Sequence, residues 1–229
     1  MSEYTALLAI ELTKHSGQLH AAELHFPAQG SLKQVLWVLR HGHPVLHKLT
    51  IPEGLSAYQI QTLFDSASFL VGDTPLPPEG SVQPQTYKFL RNTSRNTALA
   101  TTQAAMSQTL NTIWLNRDAT PEIPDIGALL TLASLIEKET ALPEERANVA
   151  RVFINRLHID MKLQTDPTVI YGITMGKNAL GHALTHTDLQ NTSPYNTYLN
   201  AGLPPGPICS PGISALNAAA HPAKGEWLY

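Results

Sequence analysis

The chain has 229 residues, enough for one large domain or two modest ones, and we expect two. Its hydrophobic fraction of 43% is that of a globular protein, which excludes intrinsic disorder. A net charge of -3 without any Lys- or Arg-rich run argues against binding to nucleic acid or to an anionic lipid surface.

The sequence predicts neither a membrane span nor a disulfide. Its strongest apolar stretch, residues 128–136, is far shorter than the roughly 20 residues that cross a bilayer. Residues 1–17 have no basic segment before an apolar core, so they do not predict a signal peptide. Cys209 is the single cysteine and has no internal partner. We therefore expect a cytosolic protein or a piece of a longer one.

The first third of the chain predicts two short strands packed on two helices. Turn-forming residues at 26–30 and 51–54 separate strands near 20–26 and 45–51. Ser31 is a candidate N-cap for a helix that ends near Gly42, and Ser56 is a candidate N-cap for a second helix.

The rest of the chain predicts a mainly helical domain. After a Pro-rich segment at 74–84, residues 97–114 predict a polar helix, so we divide the chain into domains 1–90 and 91–229. Residues 127–140 are apolar nearly all round, which predicts a buried helix, and 144–160 predict an amphipathic helix packed against it. We expect a short strand at 169–172 and a last helix at 214–220. The predicted fold class is α+β.

Two acids stand at the end of the predicted buried helix. On a helical wheel, Glu137 and Glu139 are both flanked by hydrophobic residues, and such burial raises a carboxyl pKa until it can donate a proton. Glycosidic cleavage needs a general acid of this kind. The small Ala133 leaves space over Glu137 and favours it. Alternatively, the acids lie in solvent at a frayed end, or pair with Lys138 or Arg146.

Polar and aromatic residues downstream are of the types that bind sugars, through ring stacking and amide hydrogen bonds. The alternative is ordinary turn chemistry. The candidates for sugar binding are Asn155, Gln164, Asp166, Tyr171, Tyr195 and Asn196.

The histidines do not predict a metal site. His182 and His186 have the i, i+4 spacing of a helical zinc motif, but that motif requires Glu where Ala183 stands. Cys209 lies in no recognisable nucleophile motif, and no G-x-S-x-G segment occurs. We predict neither a metal nor a cofactor.

Residues 132–140, Leu-Ala-Ser-Leu-Ile-Glu-Lys-Glu-Thr, resemble the YceG-like family of endolytic murein transglycosylases, also called the MltG family. The resemblance continues through 145–172, 195–198 and 202–208. Upstream it includes 49–54 and 78–87, in a part that resembles a LysM-type glycan-binding module.

This resemblance implies that Glu137 is the acid/base for non-hydrolytic cleavage between N-acetylmuramic acid and N-acetylglucosamine, which leaves a 1,6-anhydro end. It implies a LysM-like βααβ module before the catalytic domain, and a role in ending glycan strand elongation. The expected partners are peptidoglycan glycan strands and a cell-wall synthesis complex with penicillin-binding proteins, at the periplasmic face of the bacterial inner membrane. The chain then lacks a membrane anchor and a C-terminal segment of the family. Alternatives are a non-catalytic peptidoglycan-binding module and a hydrolase of the same bond.

Overall fold

The computed structural model describes residues 3–229, without the side chains of Glu3 and Ala6. It is a helix-rich mixed fold with four short strands in the described residues. The helices are α1 (Glu3–Leu12), α2 (Leu32–His41), α3 (Ala57–Ser66), α4 (Arg95–Leu115), α5 (Ile126–Glu139), α6 (Arg146–His158), α7 (Asp166–Thr174) and α8 (Ile213–Ala220). The strands are β1 (Leu46–Thr50), β2 (Leu70–Val71), β3 (Thr86–Leu90) and β4 (Thr93–Ser94).

The N-terminal part is built on the pairing of β1 with β3. The two strands are antiparallel, with Leu49 opposite Tyr87, while β2 and β4 form a separate parallel pair. Leu49, Tyr87 and Phe89 are buried on one face, as the alternation of a half-buried strand requires. They pack with Ile60 and Phe64 of α3 in a first hydrophobic cluster.

Both predicted serine caps are confirmed. Ser31 begins α2 and Ser56 begins α3, each in a capping box with the glutamine three residues later, Gln34 and Gln59. These caps use backbone N–H groups that the first helical turn would otherwise leave without partners.

The predicted strand near 20–26 is wrong. This segment forms only an isolated bridge from Leu24 to Pro44, whose missing N–H cannot donate to a strand ladder. The βααβ order of a LysM-like module is not confirmed either, since α3 is the only α-helix between the paired strands β1 and β3.

Helix α4 joins the two hydrophobic clusters. Its first turns place Ala98 and Leu99 in the cluster of the N-terminal part. Its later turns place Met106, Leu110 and Ile113 in a second cluster, which α5 dominates. At 21 residues the helix is roughly 30 Å long, enough to reach both. The helix expected over 97–114 is thus confirmed, and the domain boundary at residue 90 stays a prediction.

The C-terminal part surrounds α5. Helices α6 and α8 make its main contacts, and α4 and α7 complete the enclosure. The predicted buried helix, amphipathic helix and last helix are confirmed as α5, α6 and α8. The strand expected at 169–172 is wrong, because these residues lie inside α7, which starts with Pro167 in its first turn.

No helix in residues 3–229 combines the length and the apolar character that crossing a membrane requires.

Candidate active site

The last turn of α5 holds the two acids that the sequence singled out. Asp125 caps the start of this helix, and residues 131–136 are buried. Glu137 keeps only 7% of its side chain exposed. Glu139 faces solvent, where its Oε2 accepts a hydrogen bond from the Thr165 hydroxyl at 2.8 Å. Only Glu137 therefore has the desolvated environment of a proton donor.

Two groups hold the Glu137 carboxyl. Its Oε1 accepts a hydrogen bond from Arg146 Nη2 at 3.1 Å, and its Oε2 accepts one from the Gly212 backbone N–H at 2.9 Å. Burial raises the pKa of Glu137, although the Gly212 N–H and the Arg146 charge both act to lower it. The pairing of Glu137 with Arg146, one of the alternatives to a catalytic role, is thus present, and burial still raises the pKa of this carboxyl.

A loop from the N-terminal part covers this carboxyl. The Gly54 N–H donates to Ser210 O at 2.9 Å, and the Ser210 N–H donates to Leu55 O at 2.8 Å. Lys138 Nζ donates to Gly54 O at 3.1 Å. These bonds fasten residues 52–55 to α5 and to the segment that leads to α8. The site is therefore assembled from both ends of the chain.

A pocket of about 370 Å³ opens beside this loop. Ser56, Lys138, Tyr171 and Ile208 are among its lining residues. Glu137 lies behind Gly54, since a β-carbon at Gly54 would come within 3.8 Å of Glu137 Cγ. Gly54 also has a φ of +77°, which residues with side chains rarely adopt. Gly54 thus forms the part of the pocket wall that lies next to Glu137, and its positive φ is the reason that a glycine stands there.

Two of the predicted sugar-binding residues, Tyr171 and Tyr195, lie side by side. Their ring centroids are 4.8 Å apart at an angle of 56°. The Tyr171 hydroxyl donates to Glu79 Oε2 at 3.0 Å, and Glu79 Oε1 accepts from the Ala57 N–H at 2.9 Å. Burial raises the pKa of Glu79. This carboxyl therefore links α7 to α3 beside the pocket.

Sequence reasoning missed Glu53, Glu79 and the proximity of both to the site. A signal was available, because both stand in the tripeptide Pro-Glu-Gly, at 52–54 and 78–80. In both copies the glycine has a positive φ, +77° at Gly54 and +73° at Gly80, so each glutamate projects from a tight turn. A repeated turn with an acid inside it could have been proposed as a site element.

Gln164 and Asp166 lie away from Glu137. Gln164 lines a second pocket of about 560 Å³ together with Glu139 and Arg156. Asp166 is the first residue of α7 and accepts a hydrogen bond from the Tyr198 hydroxyl at 2.6 Å. Neither side chain touches Glu137 directly.

The side-chain amides of Asn155 and Asn196 donate hydrogen bonds to backbone carbonyls. Asn155 Nδ2 donates to Gly225 O at 3.1 Å and Trp227 O at 2.9 Å, which fastens the C-terminal segment to α6. Asn196 is fully buried and donates to two loop carbonyls, at Leu189 and Asn191. The structure does not bring these two amides to the pocket beside Glu137.

His182 and His186 lie in the non-helical stretch after α7, so they do not share a helix face. Within residues 3–229, no group of three His, Cys, Asp or Glu side chains has the arrangement of a metal site. Cys209 is buried, and this burial raises the pKa of its thiol. A neutral thiol is a poor nucleophile.

Relatives of known name resemble this chain. An endolytic murein transglycosylase of Bacillus subtilis (strain 168) is 40% identical over 155 residues, which are 67% of this chain and 41% of that protein. The endolytic murein transglycosylase of Streptococcus pneumoniae serotype 2 (strain D39) is 31% identical over 202 residues, 88% of this chain and 36% of that protein. The chain thus spans about two fifths of the length of these curated relatives.

The fold also matches a solved structure. The 2.6 Å crystal structure of a yceG-like protein from Listeria monocytogenes aligns with a TM-score of 0.67 and 28% sequence identity, over 100% of this chain and 84% of that one. The sequence profile of the YceG-like family matches residues 1–229. A match over the full length, together with these relatives, shows that the chain belongs to the YceG-like family.

Proposed function

We propose that this chain is the glycan-cleaving part of an endolytic lytic transglycosylase that acts on peptidoglycan, with Glu137 as its acid/base. The observation that carries the proposal is the Glu137 carboxyl, 7% exposed at the end of a buried helix, with a pKa that burial raises. The names of the two bacterial relatives support the substrate and the reaction class.

In the first step, protonated Glu137 gives its proton to the glycosidic oxygen between N-acetylmuramic acid and N-acetylglucosamine. The bond from C1 of the muramyl sugar to that oxygen breaks, and C1 becomes electron-poor. Glu137 is then a carboxylate, which the Arg146 guanidinium and the Gly212 N–H stabilise at 3.1 and 2.9 Å.

In the second step, the 6-hydroxyl of the same muramyl sugar attacks C1. Glu137 takes the proton of this hydroxyl and returns to its starting form. The new bond closes a 1,6-anhydro ring without any water molecule, so one carboxyl serves as both acid and base. A buried proton donor with fixed hydrogen-bond partners suits these two reaction steps.

The pocket beside Gly54 is our candidate for a sugar subsite. Tyr171, against which Tyr195 packs, offers aromatic surface in this pocket, and Lys138 and Gln59 offer polar contacts to hydroxyl or carboxyl groups of the strand. Gln164 and Asp166 are proposed to contact glycan farther along the strand. Asn155 and Asn196 act instead by holding the backbone that surrounds the cleft.

The remaining parts of the proposal rest on the family resemblance. They are a role in ending glycan strand elongation, contact with a cell-wall synthesis complex that contains penicillin-binding proteins, and a place at the outer face of the bacterial inner membrane. Binding of glycan by the N-terminal part, as by a LysM module, is also a prediction.

The test is mass spectrometry of uncrosslinked glycan strands incubated with the chain and with two variants, Glu137→Gln and Glu139→Gln. We expect products one water lighter than hydrolytic ones. Glu137→Gln should lower their rate of formation at least about a hundredfold, since general acid catalysis contributes that much or more. Glu139→Gln is the matched control and should stay near the unmodified rate.

Other outcomes would reject parts of this proposal. Products that carry an added water would make the chain a hydrolase. Full activity of Glu137→Gln would remove Glu137 from its role. Binding of strands without cleavage by any variant would identify a non-catalytic peptidoglycan-binding module.

A further inference from the structure

A second carboxylate, that of Glu53, lies beside the same guanidinium as Glu137. Glu53 stands in the loop that is fastened over the site, and its Oε2 is 3.7 Å from Arg146 Nη2. The same nitrogen is 3.1 Å from Glu137 Oε1. Arg146 is thus shared by two acids, while only 6% of its own side chain is exposed.

The charges of these three groups do not balance when both acids are ionised. One buried guanidinium faces two carboxylates, so the ionised trio carries an excess negative charge that burial makes costly. Binding of one proton makes the trio neutral. Glu53 keeps 46% of its side chain in solvent and Glu137 keeps 7%, so water stabilises the charge of Glu53 better. The proton is therefore favoured on Glu137.

We propose that Glu53 is a positioning residue that occupies the charge of Arg146 and thereby keeps the catalytic proton on Glu137. This inference rests on the proposed function. Without Glu53, Arg146 would pair with Glu137 alone, and that pairing favours the carboxylate form, which has no proton to donate.

The same arrangement serves the step after proton transfer. Glu137 is then ionised, and the trio carries one net negative charge when the sugar carbon C1 is positively polarised. That charge stabilises the electron-poor carbon and strengthens Glu137 as the base for the 6-hydroxyl proton. Glu53 thus acts through Glu137 at both stages.

Other charged or titratable groups near Glu137 do not replace this effect. Lys138 is on the same helix but exposed, and its charge acts to lower the Glu137 pKa, whereas the Glu53 charge acts to raise it. Cys209, on the segment before α8, is buried and its pKa is raised, so it is neutral. Among the charges named here, that of Glu53 is the one that both lies beside Arg146 and raises the Glu137 pKa.

The experiment is the pH profile of glycan cleavage for the unmodified chain, Glu53→Gln, Glu53→Asp and the control Glu144→Gln. Cleavage requires protonated Glu137, so activity falls as the pH rises through the Glu137 pKa. We call this fall of activity with rising pH the alkaline limb. Glu53→Gln should move it to lower pH by about one unit, so at pH values above the limb the rate should be about tenfold lower. Below the limb the loss of rate should be the same at every pH, because there only the second-step effect of the Glu53 charge is missing. Glu53→Asp keeps the anion and should restore most of the profile. Glu144 is an exposed acid, so Glu144→Gln should leave the profile in place.

Gly212 offers a second way to displace Glu53 without removing a charge. A β-carbon at residue 212 would overlap the Glu53 carboxyl, and the backbone there, with φ of -76° and ψ of 168°, accepts alanine. Gly212→Ala retains the N–H that binds Glu137 but pushes the flexible Glu53 side chain away. It should therefore move the alkaline limb in the same direction as Glu53→Gln.

A direct readout separates this inference from the proposed function. The carboxyl carbon of Glu137, followed by ¹³C NMR, should titrate at lower pH in Glu53→Gln or Gly212→Ala than in the unmodified chain. An unchanged Glu137 titration, or an alkaline limb that stays at the same pH in Glu53→Gln, would overturn the role of Glu53. Full activity of Glu137→Gln would instead overturn the proposed function, and the NMR titration would still report on Glu53.

Discussion

A buried hydroxyl on α5 offers a test of how this helix is joined to the segment that contains Ile208. Ser134 is fully buried, and its Oγ donates to Thr131 O at 2.7 Å and accepts from the Ile208 N–H at 3.0 Å. We consider Ser134→Ala. In this variant the Thr131 carbonyl loses only a second hydrogen-bond donor, because it lies inside α5 and takes part in the hydrogen bonding of the helix. The Ile208 N–H, on a residue 3% exposed, loses the acceptor that the described chain provides.

The cost follows from that unpaired N–H. A buried donor without a partner destabilises a protein by about 1 to 3 kcal/mol, and the better helix propensity of alanine offsets roughly 0.5 kcal/mol of this. Chemical denaturation should show the loss as a lower midpoint at unchanged slope. The control is Ser107→Ala on the exposed face of α4, expected within about 0.5 kcal/mol of the unmodified chain. Equal midpoints for the two variants would refute the assignment of Ser134 as the acceptor for Ile208.

Three further outcomes can be measured independently. Arg91 and His47 lower the pKa of Glu23 from 4.5 to about 2, so its stabilising effect is complete above pH 4.5 and is lost as the pH falls towards 2. The difference in unfolding free energy between the unmodified chain and Glu23→Gln should shrink over that range; a constant difference would contradict the ion pairs. Leu132→Ala, at a fully buried site, should cost about 2 to 5 kcal/mol, whereas Leu115→Ala, 81% exposed, should cost less than about 0.5, by chemical denaturation. Asn155→Ala should speed amide hydrogen exchange in residues 225–229 and leave α5 protected, and equal exchange there would show that the amide does not hold this segment.

The buried helix and its neighbours were predictable because their signals are local. Residues 127–140 have the apolar periodicity of an enclosed helix, and α5 covers almost the same span. Ser31 and Ser56 stand before helical patterns with glutamine three residues on, which is a local cap signal. The helical wheel did not choose between Glu137 and Glu139, and the small Ala133 only favoured Glu137. The structure buries Glu137 and exposes Glu139.

The errors have identifiable physical causes. The apolar run at 169–172 is short enough to form either a strand or part of a helix, and Pro167 at the helix start was the signal that should have decided for α7. The run at 20–26 has strand-like residues, but a strand needs a partner, and sequence alone does not show which one is in reach. Glu53 and Glu79 are 84 and 58 residues before Glu137, so only tertiary folding places them beside the site or its pocket.

The loop at residues 52–55 limits how this protein could be divided or recombined. Evolution often exchanges whole modules, and a fusion that kept residues 91–229 on a foreign N-terminal partner would inherit α5 and its carboxyl. It would lose the wall that Gly54 forms and the backbone pairing with Ser210 that closes the site. The two parts are therefore expected to be inherited together, as one evolutionary unit.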